Sequence, residues 1–122
     1  DTKTVEIPLQ QFFNRHGIPY EKHLIIRELH PAHQFDVAIP YLKLAVEGNG
    51  CYWHSCSICG LDCKRQRKFD QEIDIVQARA QKAGWLLVVV WEHEIKTGAA
   101  FYKLLGIVTD REIQLIRAGL IK

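Results

Sequence analysis

The sequence has no methionine, no low-complexity tract and no apolar run longer than Trp85 to Trp91. Such a run is far too short to cross a bilayer, which takes about 20 apolar residues. The first residues are neither basic nor followed by an apolar stretch, so no secretion signal is read. Without an initiating methionine, the chain is expected to be a trimmed or excised domain with segments missing from its flanks. A strong charge of either sign is also lacking: the net charge is +2, which by itself says little about a nucleic-acid partner. What remains is 122 residues, 48% hydrophobic and 25% charged. That composition suits one globular, soluble domain over residues 1–122, able to bury roughly two-thirds of its unfolded surface.

The periodicities outline an α/β domain. Thr4 is placed to cap a helix whose apolar residues Ile7, Leu9, Phe12 and Phe13 lead to a stop at Gly17, with Pro8 in the first turn. Tyr20 to Leu29 reads as a strand, and Phe35–Ile39 and Leu42–Val46 as two short ones reversed by Pro40-Tyr41. Arg67 to Lys82 has helical spacing, with Phe69, Ile73, Val76 and Ala80 along one face, ending at Gly84. The run LLVVVW, 86–91, fits a central strand buried on both faces with helices on each side. Ala99–Leu105 predicts a short helix, and Thr109 to Glu112 has the form of a capping box opening another. The expected fold is a three-layer-type α/β sandwich around a central mixed sheet.

All four cysteines fall in 47–63, EGNGCYWHSCSICGLDC, as Cys51-x4-Cys56-x2-Cys59-x3-Cys63. Two disulfides would suit a secreted chain, but nothing marks secretion and a domain of this size is stable without staples. Free buried thiols are the plainest alternative. Closely spaced thiolates that chelate structural Zn²⁺ explain the density better. Cys51, Cys56 and Cys59 supply three ligands, and the fourth is Cys63 or the distant His93 of WEHEI. His93 is favoured because it would tie the loop to the sheet. Directly after the cysteines, Lys64, Arg65, Arg67 and Lys68 fall within five residues. Such a run is commonly a solvated helix start, and beside a nuclease site it would contact phosphates.

Asp36 sits on one predicted strand and Glu47 ends the next, eleven positions later. If those strands pair through the Pro40 turn, both carboxylates reach one edge of the sheet. Two carboxylates can hold Mg²⁺, which prefers oxygen ligands and keeps several waters. His54, inside the cysteine loop, would be held near that edge as a general acid or base. Taken singly, Asp36 could be a solvated strand residue, Glu47 the start of a turn, and His54 a zinc ligand.

Together, FDVAIPYLKLAVEGNGCYWHSCSIC and KAGWLLVVVWEHEI resemble the very-short-patch-repair (Vsr-like) endonucleases of the PD-(D/E)XK nuclease superfamily. The combination of GCYWH-x-C with GW-x5-WEH carries that resemblance, which runs from the first helix to WEHEI. It implies that Asp36 binds a catalytic Mg²⁺, that His54 acts at the scissile phosphate, and that Glu6 is a catalytic-site glutamate on the first helix. It further implies a structural zinc at Cys51, Cys56, Cys59 and His93, with Trp53 near the DNA. Where the superfamily carries a lysine, two residues after Glu47, this chain has Asn49, and Vsr-like relatives often lack that lysine too. One cysteine spacing differs by a residue from the repair enzyme. Catalytic domains of phage-type homing endonucleases belong to the same group. The expected activity is therefore Mg²⁺-dependent hydrolysis of double-stranded DNA to a 5′-phosphate and a 3′-hydroxyl. The setting would be cytoplasmic, at the nucleoid or in a phage-infected cell, with a possible separate recognition domain or partner protein. The competing expectation is a zinc-bearing DNA-binding module that keeps the fold without cleavage; RNA is a less favoured substrate.

Overall fold

The computed structural model describes residues 2–49 and 63–122, apart from the side chains of 2, 3, 63–66 and 69. A wide helical turn, Thr2–Glu6, runs straight into helix α1, Ile7–Arg15. Thr4 therefore lies inside the first turn rather than capping it, and its hydroxyl is buried with no hydrogen-bond partner among the described residues. Pro8 falls in the first turn of α1, where its fixed φ suits the helix. Gly17 follows the helix with a φ of 64°, the left-handed conformation that glycine adopts without a Cβ penalty.

Strands β1 (Glu21–Ile26), β2 (His33–Ile39), β3 (Leu44–Asn49) and β4 (Leu86–Trp91) form a sheet in the order β1-β2-β3-β4. The first three are antiparallel neighbours and β3 pairs with β4 in parallel, so the sheet is mixed, as the element order implied. Between β3 and β4 the chain passes through helix α2, Cys63–Lys82, four residues longer at its start than the spacing predicts. Helix α3 (Glu92–Thr97) follows β4 without a linker, and α4 (Ala99–Arg117) closes the described chain.

Alternation along the strands, interrupted on β2 between Phe35 and Val37, sends two sets of apolar side chains to opposite faces. Val37, Ile39, Leu44, Val46, Val88 and Val90 pack against Leu9 and Phe13 of α1 and Leu104 and Val108 of α4. Phe35, Ala38, Ala45 and Leu87 pack instead with Trp85 and Ala80, with Ile73 and Val76 of α2 against them. Helices thus cover both faces, giving the three layers the sequence suggests. Each fully buried Leu, Val or Phe side chain contributes on the order of 1.5–3 kcal/mol to folding. Phe12 stacks on Phe101 at 5.0 Å and joins α1 to α4.

Three expectations are corrected. Among the described strands β4 lies at an edge of the sheet, not its centre; apolarity on both faces reports cover by helices, which an edge strand also has. Leu42 belongs to a short 3-10 turn, Pro40–Leu42, and β3 extends to Asn49 because β4 gives it partners as far as Trp91. Glu47 is therefore inside β3, not at its end. Thr109 caps nothing: α4 is continuous, and the Thr109 hydroxyl donates to the Leu105 carbonyl at 2.9 Å one turn back. The stripe Ala100, Leu104, Val108 and Leu115 keeps the helix on the core. Arg111, on the same face, adds to this by donating from Nε to the Leu42 carbonyl (2.8 Å) and from Nη2 to that of Gly84 (2.7 Å).

Candidate active site

Sheet register brings together residues that the sequence keeps far apart. Val37 pairs with Val46 across β2 and β3, so the next step of the same register sets Asp36 opposite Glu47. Across β1 and β2, Lys22 pairs with Val37 and Leu24 with Phe35, which sets His23 opposite Asp36. On the far side Glu47 pairs with Val89. Extending these registers by one step aligns His23, Asp36, Glu47 and Val89 in one row, although the ladders themselves pair neither His23 with Asp36 nor Asp36 with Glu47.

Glu6 reaches this row from the first helical turn because Gly48 lets that turn lie on β3. A Cβ at Gly48 would overlap the Val5 side chain, lying 3.3 Å from its Cβ and closer to its Cγ1. The Gly48 N–H also donates to Asp36 Oδ2 at 2.8 Å, orienting that carboxylate. Glu6 is nearly buried, and its Oε2 lies 3.2 Å from His23 Nε2. On β2, His33 places Nε2 3.8 Å from Glu47 Oε1, too far for a hydrogen bond, and its ring lies against Phe35 at 4.5 Å.

Three carboxyl groups in so little solvent perturb one another. Burial pushes the Glu47 carboxyl up to about 8; the charges of Asp36 and, less, Glu6 add to this, while the Asp36 backbone N–H opposes it. Burial likewise raises Asp36, the Gly48 N–H opposes the rise, and Glu6 adds to it through its charge and a hydrogen bond. Burial lowers the His33 pKa, with Asp36 pulling the other way. Two polar atoms here are buried without a hydrogen-bond partner among the described residues, Glu47 Oε1 and Asn49 Nδ2. Such orphans each cost about 1–3 kcal/mol, a penalty that a bound ion or substrate can relieve.

The donor set fits a hard cation loosely held. No group of three or more His, Cys, Asp or Glu among the described residues is arranged to hold a metal by itself. Two half-buried carboxylates of raised pKa, one with an oxygen that has no hydrogen-bond partner among the described residues, still match what Mg²⁺ takes from a protein when water and phosphate supply the rest.

Of the other residues singled out in the sequence, Cys51, Trp53, His54, Cys56 and Cys59 lie outside the described residues. Cys63, Lys64 and Arg65 open α2, and Arg67 and Lys68 on the same helix are exposed. His93 is half-buried in the first turn of α3, directly after β4, where Glu94 accepts the Trp91 N–H at 2.9 Å. Sequence reasoning misses His23 and His33. Their signal is an imidazole inside or bounding an apolar strand run, which becomes informative only once register sets each beside a carboxylate.

The largest described cavity, about 490 Å³, lies elsewhere, between α1 and α4, lined by Phe12, Arg15, His16, Phe101 and Tyr102 among others. No carboxylate of the row lines it. No described helix is long and apolar enough to cross a membrane.

No protein-family model matches the sequence, and no curated protein does. Among solved structures, the chain is similar to the catalytic domain of the homing endonuclease I-Bth0305I, at 18% identity over 96% of each chain with a TM-score of 0.45. At that distance the likeness assigns no role to any residue.

Proposed function

We propose that this domain is a Mg²⁺-dependent DNA endonuclease of the restriction-endonuclease-like, Vsr-like kind, built on the carboxylate row. The observation that carries the reading is the convergence of Glu6, Asp36 and Glu47 at one end of the sheet, with Glu47 Oε1 buried and without a hydrogen-bond partner among the described residues. Asp36 and Glu47 would hold the ion, with Glu6 ordering water or substrate beside them. A Mg²⁺ there supplies Lewis-acid polarisation of a phosphodiester and a lower pKa for bound water. His54 assists water attack or stabilises developing charge, and Trp53 lies near the DNA. A structural Zn²⁺ on Cys51, Cys56, Cys59 and His93, with Cys63 as the alternate ligand, would brace the intervening loop against the sheet.

The basic run at the start of α2 supports a phosphate partner. That helix has no acidic residue in its first turn and four cations in its first six positions. Cations at a helix N-terminus oppose the macrodipole at about 0.3–1 kcal/mol each, so their placement does not serve helix stability. Contact with the DNA backbone gives them a use and confers affinity rather than sequence choice.

A plasmid-nicking assay tests the reading. With Mg²⁺ the wild type should cut DNA and leave 5′-phosphates, whereas Asp36→Ala should fall by at least about 10²-fold while still binding the duplex. Equal behaviour of the two proteins across metals and substrates would sink the nuclease assignment. Binding without cutting would instead identify a non-catalytic DNA-binding module. Elemental analysis of the same preparation should find about one zinc per chain, and a stably folded zinc-free protein would remove the zinc assignment.

A further inference from the structure

We propose that His23 is the general base of this site, held by Glu6 to take the proton from the attacking water; the inference rests on the nuclease reading above. The sheet is broken at this residue. The β1–β2 ladder pairs residues on both sides of His23 and Asp36 but skips these two. His23 has a φ of 53°, a left-handed conformation seldom held by a residue with a Cβ. Strained conformations of this kind persist where the surrounding structure imposes them and cluster at functional sites.

The surroundings are specific. The His23 side chain is 51% exposed, while the Glu6 side chain that holds it is 12% exposed. The anchor is therefore withdrawn from solvent while the ring remains within reach of a substrate. With Glu6 as the acceptor of the 3.2 Å contact, the ring proton sits on Nε2. In the neutral ring Nδ1 then carries the lone pair and faces away from the anchor. Glu6 also accepts a hydrogen bond from Asp36 when that carboxyl is protonated, so the imidazole stands one carboxylate away from the proposed ion ligand. The register of β1 and β2 sets His23 across from Asp36, which puts the ring beside the water assigned to attack phosphorus there.

In the step assigned here, Nδ1 removes one proton from the attacking water as its oxygen bonds to phosphorus. The P–O3′ bond breaks, its electron pair stays on O3′, and solvent protonates that oxygen. The imidazolium then gives its proton to solvent, so the net reaction consumes one water per phosphodiester. Glu6 is a positioning residue that fixes tautomer and ring orientation. With His23 as the base, His54 is left to the developing charge on phosphate.

Two variants suit the backbone at this position. Asparagine tolerates positive φ and cannot take a proton from water, and glycine favours positive φ and leaves room for exogenous imidazole. With Mg²⁺ and plasmid DNA, His23→Asn should lose roughly 10²–10³-fold in kcat with KM and DNA affinity kept. His23→Gly should recover activity as imidazole is added. A readout independent of activity is ¹⁵N NMR of the ring at alkaline pH, which should show the Nε2–H tautomer in the wild type and a shift toward Nδ1–H in Glu6→Gln. A wild type that cuts while His23→Asn cuts equally well, or while His23→Gly ignores imidazole, overturns the role of His23 and leaves the nuclease reading standing. A ring that carries its proton on Nδ1 in the wild type overturns it as well. A wild type that cuts no DNA under any metal brings down both.

Discussion

Glu47 carries the largest electrostatic burden of any single residue described. Its carboxyl is raised from an ordinary 4.5 to about 8, chiefly by burial and then by Asp36. Between those two values the folded chain binds a proton that the unfolded chain has released, so this group's contribution to stability falls as pH rises through the window. The contribution is fully present below about 4.5 and lost above about 8. Without divalent metal, Glu47→Gln should therefore melt higher than wild type near pH 8.5, and the gap should close toward pH 4.5. A thermal-melt series across pH measures this; parallel curves would mean that Glu47 ionises normally. The proximity of Asp36 and Glu47 is legible in the sequence, from two short strands around Pro40. His23 and His33 are not, because nothing local distinguishes a histidine opposite a carboxylate from one facing water.

Among the elements, Gly48 decides where the first helical turn rests. Gly48→Ala would drive a methyl into Val5 and lift that turn, parting Glu6 from Asp36. The expected cost is about 1–3 kcal/mol of stability, as for other overpacked cores, together with a loss of cleavage. Val5→Ala in the same chain should restore part of both, since contacting sites couple; calorimetry on the four-member cycle checks it, and strict additivity would dismiss the contact. α4 offers a second test. Thr109 sits mid-helix with its hydroxyl on the Leu105 carbonyl, so Thr109→Ala should change stability by less than about 0.5 kcal/mol. An N-cap at that position would cost about 1 kcal/mol on the same substitution. Local sequence points to a cap, because Thr-Asp-Arg-Glu carries the pattern. The apolar stripe on either side and the grip of Arg111 on two distant carbonyls outweigh it.

At the scale of the molecule, three layers place the candidate site and the basic helix start at the two ends of one connection, since β3 carries Glu47 and the next described element opens with Cys63. Arg67 and Lys68 are exposed there. If they meet phosphates, replacing both with glutamine should weaken binding about equally for all DNA sequences. It should also reduce the slope of log affinity against log salt by about 1 for each phosphate no longer neutralised. Fluorescence titrations over a range of salt would show it, and an unchanged slope would leave these residues as a solvated helix start.

Composition and periodicity alone determined the class of fold: short apolar-rich runs for the strands, a helical stripe before Gly84, and a mixed sheet from the order of elements. They also marked Asp36 and Glu47, because acidic residues in or beside apolar segments stand out in one dimension, whereas Glu6 came only from the family resemblance. Only tertiary structure decided the rest. Pairing with β4 drew Glu47 inside its strand, the missing Cβ at Gly48 brought Glu6 onto Asp36, and the skipped ladder pair turned His23 toward Glu6. Each of these depends on the approach of segments distant along the chain, so local residue preferences do not contain it.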